Sequence, residues 1–351
     1  LSDIAQAAAE DFNGEFSGEI ALVTGAAPGS IATALVERLL AGGATVVMTA
    51  SNVSQARKEF ARTLYRDNAV AGAALWLVPA NLSSYRDIDA LIAWLGEEQK
   101  ETVGKDVRVN KPRLIPTLAF PFAAPSVSGS LAEVGGNAET QARLLLWSVE
   151  RTIAGLAELA QTSDSVQRTH VVLPGSPNRG TFGGDGAYGE VKAALDAVIN
   201  KWSAETGWPD GVTLAQARIG WVAGTHLMGG NDALVPAAEA AGIHVWSPEE
   251  ISREILTLAT PEARAQATES PLDLDLTGGL ADAGVSIAEL ARSASLPAGG
   301  GVDEGASAGE RIKALPNLAN PVQPEGVEVD TVSCGLDDMI VICGIGEVSS
   351  W

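Results

Sequence analysis

The sequence predicts an α/β protein built on a doubly wound parallel sheet. From Glu19 to about Pro271, short apolar runs alternate with segments of helical periodicity. This alternation is typical of parallel strands whose connecting helices cover both faces of a sheet. A glycine-rich turn joins the first strand to the first helix, and two later helices begin at recognisable capping residues. We expect an N-terminal helix before this sheet and a linker after it.

The N-terminal segment has the periodicity of an amphipathic helix. Leu1, Ile4, Ala8 and Phe12 lie at helical spacing. Residues 1–17 are therefore expected to form a leader helix that packs on another surface.

The first strand leads into a turn suited to phosphate. The apolar run Glu19–Thr24 predicts a buried strand, and a helical pattern begins near Thr33. Glycine-rich turns of this kind offer backbone N–H groups and a positive helix end to a pyrophosphate. The lysine of a P-loop is missing, which disfavours ATP chemistry. An ordinary tight turn is the alternative interpretation. The predicted cofactor-binding residues here are Thr24, Gly25, Gly29, Ser30 and Ile31.

The end of the second strand favours NADP(H) over NAD(H). Folds that bind NAD usually place a carboxylate here, where it accepts hydrogen bonds from the ribose 2′-hydroxyl. The predicted strand 44–49 is followed instead by Ser51 and Asn52, with Arg57 and Lys58 one turn into the next helix. These side chains suit a 2′-phosphate. Alternatively, Ser51 and Asn52 are N-capping residues of that helix.

A serine, a tyrosine and a lysine predict a carbonyl-reducing site. Tyr188 and Lys192 lie at i and i+4, so on a helix they share one face. A free phenol titrates near pH ~10, and a nearby cation lowers that value. Ser176, at the end of the apolar run 170–174, is placed to hydrogen-bond a substrate carbonyl. The alternative is a surface tyrosine beside a solvated lysine.

The remaining elements complete the sheet and cover its binding edge. Residues 212–218 predict a strand, and the glycine-rich passage 220–242 follows its carboxyl end, where doubly wound folds bind ligands. We expect a lid over the substrate there, the alternative being a long surface loop. Residues 84–87 and 247–250 resemble helix N-terminal caps, and residues 272–276 predict a closing strand.

Composition narrows the possible partners and compartment. The 351 residues carry a formal charge of −21, which disfavours nucleic acid and anionic membranes. No apolar run approaches a membrane span, and no signal peptide is visible. Cys334 and Cys343 are the two cysteines and do not form a C-x-x-C pair, so no metal site is predicted. A reducing cytoplasm is compatible with this composition.

Two sets of motifs carry a family resemblance. The pattern T-G-x-x-x-G at 24–29, followed far downstream by Ser176 and Tyr188-x-x-x-Lys192, resembles the short-chain dehydrogenase/reductase superfamily, which implies a Rossmann-like fold. Residues 173–188 and 219–228 more narrowly resemble the ketoreductase domain of type I fatty acid synthases of the fungal and actinobacterial kind. This resemblance covers roughly residues 15–295.

The resemblance implies an activity and a role for each site residue. It implies NADPH-dependent reduction of 3-oxoacyl thioesters carried on the phosphopantetheine arm of an acyl carrier protein. Tyr188 would be the proton donor, Lys192 its activator and a ribose contact, and Ser176 the carbonyl orienter. The other synthase domains and a homo-oligomeric assembly are the implied partners.

Further positions are assigned by the same resemblance, with two departures. Asn81 and Leu82, directly after the predicted third strand 74–79, would contact adenine. Ala123 lies where the superfamily has Asn-Ala-Gly, so small residues are kept beside the cofactor but the asparagine is not. Ser148 aligns with another asparagine that orders a proton-relay water in many members.

Two other functions remain open at this point. One is a polyketide-type ketoreductase or another alcohol dehydrogenase of the superfamily. The other is an inactive, structural cofactor-binding domain. The presence of Ser176, Tyr188 and Lys192 disfavours the inactive domain, while the asparagine departures leave it possible.

The domain organisation follows from a change of composition. Residues 18–295 are expected to form the NADP(H)-binding ketoreductase domain, and the Pro/Gly/Glu-rich residues 296–332 a linker. Residues 333–351 resemble the entry to a ketosynthase domain. The chain is thus expected to be a fragment of a larger multienzyme, in which removing residues 300–351 leaves cofactor binding unchanged.

Overall fold

A computed structural model describes residues 14–280, apart from residue 104, residues 164–166, 181–182, 226 and 228–230. The predicted linker and ketosynthase-like segment lie outside the described residues, as does most of the predicted leader helix. Residues 15–17 of that leader form a turn together with Gly18.

Seven parallel strands form the central sheet. In the order β3-β2-β1-β6-β7-β8-β9, the strand sequence reverses between β1 and β6, so the sheet is doubly wound as predicted. The strands are β1 (Ile20–Thr24), β2 (Thr45–Ala50), β3 (Ala74–Pro79), β4 (Gln99–Val103), β5 (Asp106–Lys111), β6 (Leu118–Pro121), β7 (Thr169–Gly175), β8 (Val212–Ile219) and β9 (Leu272–Leu276).

Helices cover both faces of this sheet. They are α1 (Ile31–Ala41), α2 (Gln55–Asn68), α3 (Tyr85–Gly96), α4 (Gly136–Ala142), α5 (Ser148–Thr162), α6 (Tyr188–Ala204), α7 (Val235–Ala240), α8 (Pro248–Leu256) and α9 (Pro261–Gln266). A π-helical turn, Arg143–Trp147, joins α4 to α5. No helix in the described part of the chain is long and apolar enough to cross a membrane.

Two apolar cores result from the alternation of side chains along the strands. Successive strand residues point to opposite faces, so Val23 of β1 lies in one core and Leu22 in the other. The first core contains buried residues of α1, α2 and α8, and the second contains those of α3, α5 and α6. Each fully buried leucine of these helices contributes about 1.5–3 kcal/mol of transfer free energy.

Both predicted helix caps are present. The Ser247 hydroxyl accepts from Glu250 N at 3.2 Å, and the Glu250 carboxylate accepts from Ser247 N at 3.0 Å, which is a complete capping box. The Ser84 hydroxyl accepts from Asp87 N at 3.3 Å. Asp87, however, accepts from Asn81 N at 2.9 Å, and so it fixes the loop after β3.

An antiparallel hairpin between α3 and β6 was not expected. Strands β4 and β5 pair only with each other, and nearly all of β5 is exposed. Its base is anchored by Lys111, which is 1% exposed. The Lys111 ammonium donates to Glu97 O at 2.5 Å and lies 4.5 Å from the Trp94 ring centroid. Burial lowers the pKa of Lys111.

One buried histidine makes the stability of the fold depend on pH. His170 in β7 is buried, and its Nδ1 lies 2.8 Å from the Thr213 hydroxyl oxygen on β8. Burial, with a smaller contribution from the charge of Arg264, lowers the pKa of His170 to about 4. In the unfolded chain, His170 has the ordinary pKa of ~6.5. Between this pH and about 4, His170 is therefore protonated in the unfolded chain but not in the folded protein.

We expect the free energy of unfolding to fall as the pH is lowered from 7 to 5. The unfolded state binds more protons in this interval, so His170 alone removes about 2 kcal/mol of stability. Urea unfolding at both pH values measures this loss. His170→Gln should reduce it, whereas His244→Gln, at an exposed position, should not. Equal pH dependence in wild type and His170→Gln would contradict the assignment.

Candidate active site

The predicted site residues meet at the carboxyl edge of the sheet, where the strand order reverses. Thr24 ends β1, Ala123 follows β6, and Ser176 follows β7. Tyr188 begins α6, the helix after β7. This edge at a switch point is where open α/β sheets bind ligands.

The glycine turn packs directly against the segment after β6. Gly25 has φ +80°, and a Cβ there would lie 2.6 Å from both Phe122 O and Ala123 Cα. The Thr24 hydroxyl accepts from Ala123 N at 3.1 Å. A Cβ on Gly29, at φ +76°, would lie 3.3 Å from Gly224 O. Three predicted cofactor residues, Thr24, Gly25 and Ala123, are thus held together without room for a side chain.

Ser30 shapes this turn from within. Its hydroxyl accepts from Thr33 N at 3.1 Å and from Ala27 N at 3.0 Å, and it donates to Gly25 O at 3.2 Å. Ser30 is therefore the N-cap of α1, and Ile31 is the first residue of that helix. The Ser30 hydroxyl is occupied by the turn, so its predicted cofactor role reduces to holding the turn open for a ligand.

Ser51 and Asn52 are exposed between β2 and α2. The N-cap of α2 is Ser54, whose hydroxyl accepts from Arg57 N at 3.2 Å, so the alternative in which Ser51 and Asn52 cap the helix is wrong. Arg57 Nη1 donates to Ala26 O at 2.9 Å. A guanidinium is thereby fixed between the glycine turn and the end of β2.

The loop after β3 separates the two residues assigned to adenine. Asn81 Oδ1 accepts from Ser83 N at 3.0 Å, which forms a local turn. Leu82 is buried in the core that includes α3. The Leu82 side chain thus packs inward, and the assignment of adenine contact rests on Asn81.

Ser176, Tyr188 and Lys192 lie together and are buried, at 6%, 9% and 4% exposure. The Ser176 side chain lies near enough to Tyr188 to lower its pKa. Lys192 Nζ lies 5.5 Å from the Tyr188 ring centroid and donates to Pro174 O at 2.6 Å. This burial excludes the alternative of a surface tyrosine beside a solvated lysine.

The electrostatics of the three residues differ from the expectation. Burial, opposed by the Ser176 side chain and reinforced by the charge of Asp185, raises the pKa of Tyr188 to about 12. Burial lowers the pKa of Lys192 to about 7. The expectation that Lys192 lowers the pKa of Tyr188 is therefore not met: desolvation raises that pKa, and Lys192 does not contribute to the shift. The Tyr188 phenol is protonated at neutral pH, as a proton donor must be.

Ser148, aligned with the relay asparagine, follows the π-helical turn directly. Its buried hydroxyl donates to Leu144 O at 2.6 Å. The hydroxyl proton is therefore committed to the helix, and only the oxygen lone pairs are left for a water. π-Helical turns are frequent at functional sites.

Two buried polar residues in the loop before α6 were missed by sequence reasoning. Asn178 Nδ2 donates to Asp185 Oδ2 at 2.7 Å, and Gly189 N donates to the same oxygen at 2.9 Å. Both lie within the glycine-rich string between Ser176 and Tyr188, which was the available signal.

Part of the predicted lid lies beside Tyr188. Leu227 O accepts from Val127 N at 3.2 Å, and Leu227 packs against the apolar cluster that contains Tyr188 and Leu145. Residues 226 and 228–230 of the lid lie outside the described residues. Across the part of the chain that is described, no group of three or more His, Cys, Asp or Glu could hold a metal ion.

Comparisons with known proteins identify relatives by sequence. The chain is 35% identical over 267 residues to fatty acid synthase subunit alpha of Candida parapsilosis. It is 34% identical over 274 residues to fatty acid synthase subunit alpha of Saccharomyces cerevisiae. These matches cover 76% and 77% of this chain and 14% of each relative, so the chain corresponds to a small part of their length. No protein-family model matches the chain.

Solved structures of similar fold include short-chain dehydrogenases/reductases. One from Serratia marcescens has a TM-score of 0.58 at 18% identity, covering 75% of this chain and 99% of its own. A blue fluorescent protein from a metagenomic library, in complex with NADPH, has a TM-score of 0.58 at 20% identity, with the same coverage of 75% and 99%. These likenesses show the fold.

Proposed function

The chain is homologous to one segment of fungal fatty acid synthase alpha subunits and has the short-chain dehydrogenase/reductase fold, and we propose that it is an NADPH-dependent 3-oxoacyl thioester reductase. The observation that carries the proposal is the buried group of Ser176, Tyr188 and Lys192 beside the glycine turn at the sheet edge. The two hydroxyl groups and the ammonium group at this edge of the sheet are suited to the reduction of a ketone.

Each residue has a stated part in the reaction. NADPH, held by the glycine turn, would supply a hydride for the β-carbonyl carbon. Tyr188 donates its phenolic proton to the carbonyl oxygen, and hydride and proton together convert the ketone to a secondary alcohol. Ser176 hydrogen-bonds the same oxygen and stabilises the charge that develops on it. Lys192 contacts the nicotinamide ribose and, in its protonated fraction, favours the phenolate left on Tyr188.

The residues that follow β1 and β2 at the carboxyl edge of the sheet fit NADPH. A Cβ at Gly25 would fill the space between the turn and the segment after β6, so glycine keeps this cradle open. Ser51 and Asn52 are exposed at the end of β2, and Arg57 is held against the turn at Ala26. Neither of these two exposed side chains is a carboxylate, which suits a 2′-phosphate.

Asn52→Asp is expected to weaken NADPH binding about tenfold and to affect NADH much less. A new carboxylate repels the 2′-phosphate, which NADH lacks, with an energy of about 1–4 kcal/mol at contact distance. Fluorescence titration of the two cofactors measures the difference. Asn52→Ala, which removes the amide without adding charge, is the matched control. Equal losses for NADPH and NADH in Asn52→Asp would move the phosphate site elsewhere.

The proposed substrate is presented by an acyl carrier protein domain within a larger cytoplasmic synthase. The net charge of −21 makes free docking of an acidic carrier electrostatically poor. If the carrier domain is tethered to the reductase in one homo-oligomeric assembly with the other synthase domains, its effective concentration near the site is high. Long-range electrostatic attraction is then not needed for docking.

An assay of NADPH oxidation tests the function. Oxidation with a 3-oxoacyl thioester, and none with a simple ketone, would support the proposal. Preference for a polyketide-like or simple ketone would favour the other reductases of the superfamily. NADPH binding without turnover of any substrate would favour an inactive structural domain, for which the committed proton of Ser148 is the supporting observation.

A further inference from the structure

The loop between β7 and α6 carries a buried polar pair outside the three proposed catalytic residues. Asn178 is 2% exposed and Asp185 is 4% exposed. A carboxylate with so little exposure needs hydrogen-bond donors, because desolvation of an unpaired charge is costly. The donors come from two separate stretches of chain, the loop itself and the first turn of α6.

Contacts run without interruption from Ser176 to the start of α6. Asn178 N donates to the Ser176 hydroxyl at 3.1 Å. The Asn178 side chain donates to Asp185 Oδ2 at 2.7 Å, and Asp185 Oδ2 accepts from Gly189 N at 2.9 Å. Asp185 O also accepts from Tyr188 N at 3.1 Å. Both hydroxyl-bearing residues are thus attached to the same pair.

Close packing leaves this pair little freedom. Asn178 Oδ1 accepts from Gly180 N at 2.9 Å, which closes a turn around the amide. A Cβ on Gly189 would lie 2.6 Å from Gly180 N and 3.1 Å from Asp185 Oδ2. The start of α6 is also tied to α4, since Ala187 N donates to Gln141 Oε1 at 2.7 Å.

We propose that Asn178 and Asp185 are positioning residues, a clamp that fixes Ser176 and the first residue of α6, Tyr188, relative to each other. The clamp comprises these two side chains, the bond that Asp185 accepts from Gly189 N, and the bond that the Asn178 backbone N donates to the Ser176 hydroxyl. Its catalytic meaning rests on the proposed function, but its geometry does not. Displacement of a catalytic group by about 1 Å can cost about 10²-fold in rate, so loss of the clamp should appear in kcat.

The clamp also places a charge near the phenol. In the described residues, the charged groups around Tyr188 are Asp185 before it and Lys192 one turn later. The remaining contacts of the ring are apolar and include Leu145 and Leu227. The charge of Asp185 adds to the effect of burial in raising the pKa of Tyr188. A neutral residue of the same shape should therefore let Tyr188 ionise at lower pH.

Asp185→Asn separates charge from geometry. Both donors point to Oδ2, and the side-chain oxygen of asparagine can accept both bonds. Ionisation of Tyr188 is read by tyrosinate absorbance after a stopped-flow jump to alkaline pH, before unfolding. The chain has three tyrosines, and the other two, Tyr65 and Tyr85, are exposed.

We expect Asp185→Asn to shift the buried transition to lower pH and to retain most of kcat. Asp185→Ala and Asn178→Ala should lower kcat by about 10-fold to 10²-fold with a nearly unchanged KM for NADPH. Glu190→Gln, which removes an exposed carboxylate from the same helix, is the control and should change neither quantity.

Each outcome bears on the clamp separately from the reductase function. An unshifted tyrosine transition in Asp185→Asn would overturn the charge effect. Wild-type kcat in both alanine variants, or equal losses in Asp185→Asn and Asp185→Ala, would overturn the positioning role. If the alanine variants do not fold, the titration of Asp185→Asn still decides the charge effect, and kcat of Asn178→Asp, which has the same shape but loses the donor to Asp185 Oδ2, decides the positioning role. An inactive wild type with the expected titration shift would contradict the proposed function but not the charge effect.

Discussion

Tyr188→Phe is expected to lower the rate of 3-oxoacyl thioester reduction by at least about 10²-fold, the lower end of what general acid catalysis contributes. The phenol is buried, and it is protonated at neutral pH because burial raises its pKa to about 12. Phenylalanine preserves the ring that packs against Leu145 and Val191. The change therefore removes the proton and leaves the packing intact.

The measurement is kcat in the NADPH oxidation assay, together with NADPH affinity by fluorescence. Affinity should stay near that of the wild type, because the ring remains in place. Tyr85→Phe makes the same chemical change at a side chain that is 49% exposed on α3, and it should leave kcat unchanged. Near-normal turnover of Tyr188→Phe would show that another group donates the proton.

Gly25→Ala is expected to destabilise the fold by about 2–5 kcal/mol and to abolish tight NADPH binding. The left-handed backbone at φ +80° costs about 1–2 kcal/mol for a residue with a Cβ. The new Cβ would also lie 2.6 Å from Phe122 O and Ala123 Cα, and such overpacking costs about 1–3 kcal/mol. Relief of the clash requires the turn to move away from Ala123, which opens the proposed phosphate cradle.

Gly18→Ala is the matched control for this prediction. Gly18 has nearly the same conformation, φ +82°, but nothing lies within 4 Å of its ideal Cβ position. Gly18→Ala should therefore lose only the stability that the left-handed backbone costs, about 1–2 kcal/mol. The loss is measured as the change in the free energy of unfolding in urea. Equal losses in the two variants would show that close approach at Gly25 is unimportant.

The fold was largely predictable because its strands are buried on both faces. The runs that became β1, β3 and β8 were recognised within about one residue of their observed bounds, since buried parallel strands are continuous apolar runs. The hairpin of β4 and β5 escaped prediction because it is polar and exposed, with no core to impose a pattern. Its anchor, Lys111, is a residue type that is almost never fully buried.

The candidate site was predictable in its members but not in its electrostatics. Helical spacing correctly placed Lys192 next to Tyr188, at 5.5 Å from its ring centroid. Whether the pKa of Tyr188 is raised or lowered depends on its burial, which cannot be read from the spacing of residues in the sequence. The roles of Asn178 and Asp185 depend on a loop that folds back on itself, and nothing local in the sequence specifies those contacts.

The central pairing of the sheet has a consequence for how the protein is made. Strand β1 pairs with β6, and Ile20 N donates to the hydroxyl of Thr117, a residue 97 positions later in the chain. A nascent chain therefore completes β1, β2 and β3 while one edge of β1 still has no partner. The proposed phosphate cradle at Gly25 needs Ala123 as well, so a ribosome must add that later segment before the cradle is complete. On the proposed function, NADPH would stabilise only chains that have closed the sheet, since a ligand stabilises the state that binds it. During synthesis, the cofactor would stabilise completely synthesised domains and not partly synthesised ones.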